Sequence, residues 1–125
     1  MAGYTKINFM DIEAGGGPDD EFRFSRKHLD GKDLGVTLRR LAPNHQSDKA
    51  HSHKVQEEVY TVIKGGGRML LDGQTEELKQ WDVVRVAPET VRSFEAGPDG
   101  LELLIAGGPK PPDGDGVPGD ADWPQ

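Results

Sequence analysis

Cysteine is missing from all 125 residues, which excludes disulfide cross-links, thiolate metal sites and cysteine nucleophiles. A chain without disulfides suits a reducing compartment, and a cytoplasmic location is the expectation. Long apolar runs are missing too: none approaches the ~20 residues that a membrane-spanning helix requires. The start of the chain, Met1-Ala2-Gly3-Tyr4, lacks the basic and apolar regions of a secretory leader. Positive charge is scarce, with 15 Lys and Arg against 22 Asp and Glu and a net charge of −7. That balance disfavours nonspecific binding to nucleic acid, and no helix-turn-helix pattern is present. Helical periodicity is absent from the connections between apolar segments, which argues against a parallel α/β fold. What is left is a length that suits one domain with a modest core.

What is present is a rhythm of short strands broken by turn residues. Tyr4 to Ile12 alternates loosely and reads as an edge strand, and Gly15-Gly16-Gly17-Pro18-Asp19-Asp20 reads as a flexible loop. Phe22 and Phe24 alternate with charges, and Ser25 is placed to cap a short helix running to about Leu29, with His28 on its surface. Leu34 to Leu41 reads as a strand, followed by a polar loop in which His45 has no ligand role. Further strands are expected over 59–63, 68–71, 75–79, 83–86, 91–96 and 101–106, with 83–86 buried. Asp72-Gly73 is a strong hairpin turn, and Gly97-Pro98-Asp99-Gly100 reads as another. Strands at intervals of about ten residues indicate an all-β antiparallel sandwich or barrel. One domain over 1–106, with its core in 34–106, is expected. Residues 107–125 change to Pro, Gly and Asp, and their four aspartates and one lysine supply −3 of the −7 charge. Too apolar-poor to form a core, this tail is expected to be loose, with Trp123 its one candidate for docking.

The richest stretch runs from His51 to Gly67. Residues two apart on an extended chain share a face, so His51 and His53 can aim their imidazoles at one point. The segment from Val59 to Ile63 is β-branched or aromatic throughout, with Glu58 at its entrance. Glu58, Tyr60 and Val62 then share one face. The polar residues between His53 and Glu58 allow the chain to bend, so two imidazoles and a carboxylate can converge as a candidate metal site. The glycine triplet 65–67 reads as a turn that ends the strand.

The pattern His-x-His, four residues, Glu, six residues, Gly resembles the first motif of the cupin superfamily. The second motif of that family, Gly, five residues, Pro-x-Gly-x-x-His, aligns with Trp81 to Arg92 but with departures. Trp81 stands for the first glycine, Ala87 for the proline, Glu89 for the second glycine, and Arg92 for the metal-binding histidine. The resemblance covers about Leu34 to Gly107. It implies a double-stranded β-helix, or jelly roll, with a site in the barrel mouth, and frequent homodimers.

Arginine has no lone pair to donate and cannot be a ligand. Alternation puts Arg92 and Phe94 on the inward face, which leaves two arrangements open. In one, His51, His53 and Glu58 hold a divalent ion (Fe, Mn, Ni or Zn) and Arg92 orients an anionic substrate, with Tyr60 lining the pocket. The chain would then be a metal-dependent enzyme of dioxygenase, isomerase or decarboxylase type acting on a small polar or anionic molecule. In the other, Arg92 pairs with Glu58 in a metal-free pocket, and the chain is a non-catalytic small-molecule-binding or sensory module in which Arg92 anchors the ligand.

Overall fold

Two long bent strands organise the molecule. The computed structural model describes residues 3–124, and in chain order the strands are β1 (Gly15–Gly17), β2 (Asp20–Phe24), β3 (Gly35–Leu41), β4 (Lys49–His53), β5 (Glu58–Leu71), β6 (Gln74–Leu78), β7 (Val83–Val86), β8 (Arg92–Gly107) and β9 (Gly116–Asp120). β5 and β8 pair with each other twice, Glu58 to Gly65 against Leu101 to Gly107 and Gly67 to Leu71 against Arg92 to Ala96. On one half of this ribbon β7 adds to β5, and β3, β2 and β1 follow from β8. On the other half β6 adds to β5, while β4 and then β9 follow from β8. The result is one curled, antiparallel sheet whose two halves close over a shared core, the jelly-roll arrangement.

The core forms because alternate positions on both halves are apolar. Tyr60 and Val62 of β5 meet Phe94, Leu101 and Leu103 of β8, with Met69, Leu78 and Val86 completing the cluster. Met69, Phe94 and Leu103 have no exposed surface, and each such side chain contributes about 1.5–3 kcal/mol by its removal from water. Charge is drawn into the same layer as well: Arg39 forms a bidentate pair with Asp20 at 2.9 and 2.7 Å and lies over the rings of Phe22 and Phe94.

Several expectations require correction. The glycine triplet does not end a strand. Gly65, at φ 73°, makes a bulge inside one continuous β5, opposite the irregularity at Gly97–Gly100 of an equally continuous β8. A Cβ at Gly65 would run into the Gly100 carbonyl. Neither glycine segment therefore turns the chain; both let two strands bend together. Asp72 and Gly73, both at positive φ, do make the expected hairpin. Val83–Val86 is buried on one face only: it pairs only with β5, Val86 and Val84 pack on the core, and Val83 and Arg85 face outward.

At the N-terminal end, Gly15–Gly17 is a strand in a hairpin with β2 rather than a loop. Tyr4 to Ile12 is not a strand, because the Asn8 side chain accepts from the Met10 N–H and starts a single 3-10 turn over Phe9–Asp11. A one-turn helix α1 spans Arg26–Leu29, but the Ser25 hydroxyl donates to the Val36 carbonyl and caps nothing.

The C-terminal tail is not loose. Its β9 pairs residue for residue with β4, from Lys49 opposite Asp120 to His53 opposite Gly116. All five residues of β9 are exposed, so the tail adds no core and is held by backbone bonds and a few polar contacts. Trp123 Nε1 donates to the Ser47 carbonyl at 2.8 Å, and the Arg68 guanidinium lies over its ring. No helix among the described residues is long and apolar enough to cross a membrane.

Candidate metal centre

β4 carries His51 and His53 on one face, and the short link 54–57 returns the chain so that Glu58 opens β5 beside them. Ligand atoms of His51, His53 and Glu58 all lie within 4.8 Å of one another. Glu58 Oε1 is 3.3 Å from His53 Nε2 and 3.8 Å from His51 Nε2. The two imidazoles stand edge to face with centroids 5.0 Å apart. His53 and Glu58 are largely covered, whereas His51 is 39% exposed and opens to the mouth.

The state of His53 decides what the cluster can hold. Its Nδ1 lies 2.8 Å from Asp115 Oδ1. An ionised carboxylate there can only accept, so in the neutral ring Nδ1–H donates to it and Nε2 keeps a lone pair. That Nε2 is buried and has no hydrogen-bond partner, because the approach to Glu58 is misdirected for one. Bonds of about 2.1 Å to a common tetrahedral ion place two ligand atoms about 3.4 Å apart, near the 3.3 and 3.8 Å from Glu58 to the two imidazoles. Two imidazole nitrogens and one carboxylate, with one nitrogen buried and unpartnered, fit a divalent metal.

Electrostatics keeps the Glu58 carboxylate ionised and draws toward His53 a proton that a metal ion would have to displace. Burial alone would raise the Glu58 carboxyl, but the nearby imidazoles of His51 and His53 and the hydrogen bond from the Tyr60 hydroxyl outweigh it and hold Glu58 well below the carboxylate range. The Tyr60 bond to Glu58 Oε1 is 2.6 Å. Burial first, and then the Glu58 charge, keeps the Tyr60 phenol well above its ordinary value, so it stays a donor. His53 is raised chiefly by Glu58, against its burial, with Asp115 adding to the effect. Asp115 is itself held at about 2: burial opposes ionisation, but His53 and the backbone N–H groups of Val55 and Gln56 prevail.

Asp115 is the participant that sequence reasoning missed. It lies in the Pro/Gly/Asp tail, and nothing local separates it from Asp113, Asp120 or Asp122. Arg92 and Tyr60, expected to touch a ligand, sit beneath the cavity and do not line it. Tyr60 is instead the hydroxyl that orients Glu58. Arg92 is fully buried and donates to the Pro88 and Ala87 carbonyls at 3.2 and 3.1 Å, with no ion pair to Glu58 among the described residues. Alternation puts it correctly on the inward face, but its two terminal nitrogens go to backbone carbonyls rather than to the cavity, and its buried Nε has no partner.

The cavity above the cluster measures about 880 Å³. His51, His53 and Glu58 form its floor, and Phe22, Phe24, Val36 and Ile105 an apolar wall. Phe22 and Phe24 stack with centroids 5.6 Å apart. Lys27 and Lys32 beside α1 and Lys110 beyond β8 stand at the rim, with Glu13 and Asp30 as the opposing charges.

Residues 37–105 match the Cupin_2 family model, described as a cupin domain. Among curated proteins, an uncharacterized protein of Methanocaldococcus jannaschii is 36% identical over 45 residues, a stretch covering 36% of each chain. The match thus spans about a third of that relative's length. A cupin protein from Bacteroides fragilis has a TM-score of 0.74 at 24% identity, covering 90% of this chain and 89% of that one. A variant of oxalate decarboxylase from B. subtilis has a TM-score of 0.81 at 17% identity, covering 97% of this chain and 33% of that one. At these identities the structural likeness is one of fold.

Proposed function

This chain belongs to the cupin superfamily, and from that premise we propose that it binds a divalent cation through His51, His53 and Glu58 and acts as an enzyme on a small anionic molecule. The observation that carries the reading is the buried, unpartnered His53 Nε2, whose opposite nitrogen is committed to Asp115. A buried polar atom left unsatisfied costs about 1–3 kcal/mol, and a metal ion is the partner for which two imidazoles and a carboxylate are suited. Fe, Mn, Ni and Zn all accept this donor set. When bound, such an ion supplies Lewis-acid chemistry to a substrate oxygen or water.

The remaining work falls to the chain's own residues. Tyr60 donates to Glu58 and holds the carboxylate toward the two imidazoles. The stacked Phe22 and Phe24 give one side of the cavity an apolar surface. Lys27, Lys32 and Lys110 form no salt bridge among the described residues, so their ammonium groups are available to a carboxylate or phosphate entering from the mouth. A volume of about 880 Å³ suits a small molecule.

Metal analysis of protein purified without chelator, with thermal shifts on adding Fe, Mn, Ni or Zn, tests the reading. Stoichiometric metal or a saturable shift supports it. Absence of both removes it.

A further inference from the structure

The C-terminal strand does more than cover an edge. β4, which carries both imidazoles, matches β8 in register only at His51 opposite Arg92, whereas it pairs with β9 along its whole length. The strand bearing the candidate ligands is thus a sheet edge that the tail completes. Asp115, just ahead of β9, has a side chain only 1% exposed. Its Oδ1 takes His53 Nδ1–H, and its Oδ2 accepts from the N–H groups of Val55 and Gln56 at 2.8 and 2.7 Å. Its own carbonyl accepts from the Lys54 N–H at 3.1 Å. One residue of the tail therefore holds His53 and also the link that sets the distance from His53 to Glu58. Gln56 and Glu57 of that link bond Gly108 in addition.

We propose that Asp115 is a positioning residue for His53, and that docking of Gly116–Asp120 onto β4 and binding of a divalent cation at His51, His53 and Glu58 are reciprocally coupled through it. The inference rests on the metal-binding reading above. With the tail docked, the His53 proton is fixed on Nδ1, Nε2 faces Glu58, and the link is braced. With the tail undocked, His53 is free to rotate and to carry its proton on either nitrogen, and the link loses three backbone partners. A cation that prefers the docked form must stabilise docking by the same factor, since coupling between two binding events is symmetric. β9 buries no side chain, so its docking is weak enough for such a factor to be visible.

The substitution Asp115→Asn separates positioning from mere attachment. The carbonyl oxygen of the new side-chain amide can still accept from Val55 and Gln56, keeping the tail in place. The amide N–H₂ then faces His53 Nδ1 and forces the proton onto Nε2, where it blocks ligation. The experiment uses the full chain with Zn²⁺ alone as probe. It combines calorimetric titration, hydrogen exchange of peptides covering 107–124, and ¹⁵N NMR of the neutral His53 ring.

Zn²⁺ is expected to slow exchange across Gly116–Asp120 in the parent. The variant is expected to keep the metal-free exchange of the parent, to show the opposite His53 tautomer, and to bind Zn²⁺ about 10–100-fold more weakly. Zn²⁺ binding in the parent without slowed exchange, or an unchanged affinity and tautomer in the variant, overturns the inference while the metal site stands. A parent that takes up no Zn²⁺ and no other divalent ion overturns both.

Discussion

Arg92 and His53 meet on a single oxygen. The Pro88 carbonyl accepts from the Arg92 guanidinium at 3.2 Å and from the His53 backbone N–H at 2.6 Å. The residue aligned with the family motif's ligand position thus acts on the candidate metal centre from beneath, by holding the turn to which the His53 N–H bonds.

Arg92→Met should destabilise the protein by about 2–3 kcal/mol, read as a lower midpoint in urea. The partly buried Ala87 carbonyl loses its charged donor, and the Pro88 carbonyl keeps only the His53 N–H. Removing a buried charge gives some relief, but guanidinium is the most weakly hydrated of the cationic side chains, so the relief is the smaller quantity. A variant as stable as the parent would show that the turn does not depend on Arg92.

His51→Ala and His53→Ala should each abolish the response to divalent cations. The parent should gain about 2.7 kcal/mol at a free cation concentration of 100 times its Kd, seen as a rise in Tm. A variant that keeps that rise would place the cation elsewhere on the molecule.

Tyr60→Phe removes one hydroxyl from a well-packed layer without opening space for a ring to shift. Its cost should be about 1–2 kcal/mol for the lost bond to Glu58. The Glu58 carboxyl should titrate higher, because one of the groups that hold it down is gone. An unmoved Glu58 titration would rule out Tyr60 as its orienting donor.

Acid and base should act on the chelator-treated protein from opposite sides. Glu58 and Asp115 are held below their ordinary values, so their contribution is present above an unfolded carboxyl value of about 4 and is lost as pH falls through the lower folded values. His53 is raised, so its contribution is present below an unfolded value of about 6.5 and is lost as pH rises through the higher folded one. Tm should therefore be highest between about pH 4 and 6.5 for this cluster. With Zn²⁺ the alkaline decline should shrink, since the ion replaces the proton. A metal-free Tm that climbs steadily past neutrality would contradict the assignment.

Gly65→Ala should cost about 1–3 kcal/mol from the positive φ alone, and more from displacing the Gly100 carbonyl. Equilibrium unfolding measures it. A neutral effect would mean that the bend shared by β5 and β8 tolerates a side chain.

These residues divide between local and tertiary control. Alternation alone puts His51 with His53 and Glu58 with Tyr60 and Val62, and it turns Arg92 and Phe94 inward, because side-chain direction on an extended strand follows from residue parity. The spacing of turn residues is enough to indicate an all-β barrel, and the His-x-His to Glu to Gly pattern is enough to point to the family. Those properties belong to short stretches of chain, and the amino-acid order determines them by itself. Strand partnership is different. Backbone N–H and C=O groups are the same at every residue, so Gly15–Gly17 and Gly116–Asp120, with hardly a buried side chain between them, carry no apolar pattern that announces a strand. The continuity of β5 through Gly65 is equally hidden, since a glycine at positive φ serves a bulge as well as a turn. Only the closed barrel decided that the tail returns to β4. With it came the Asp115 carboxylate that settles which nitrogen of His53 faces Glu58.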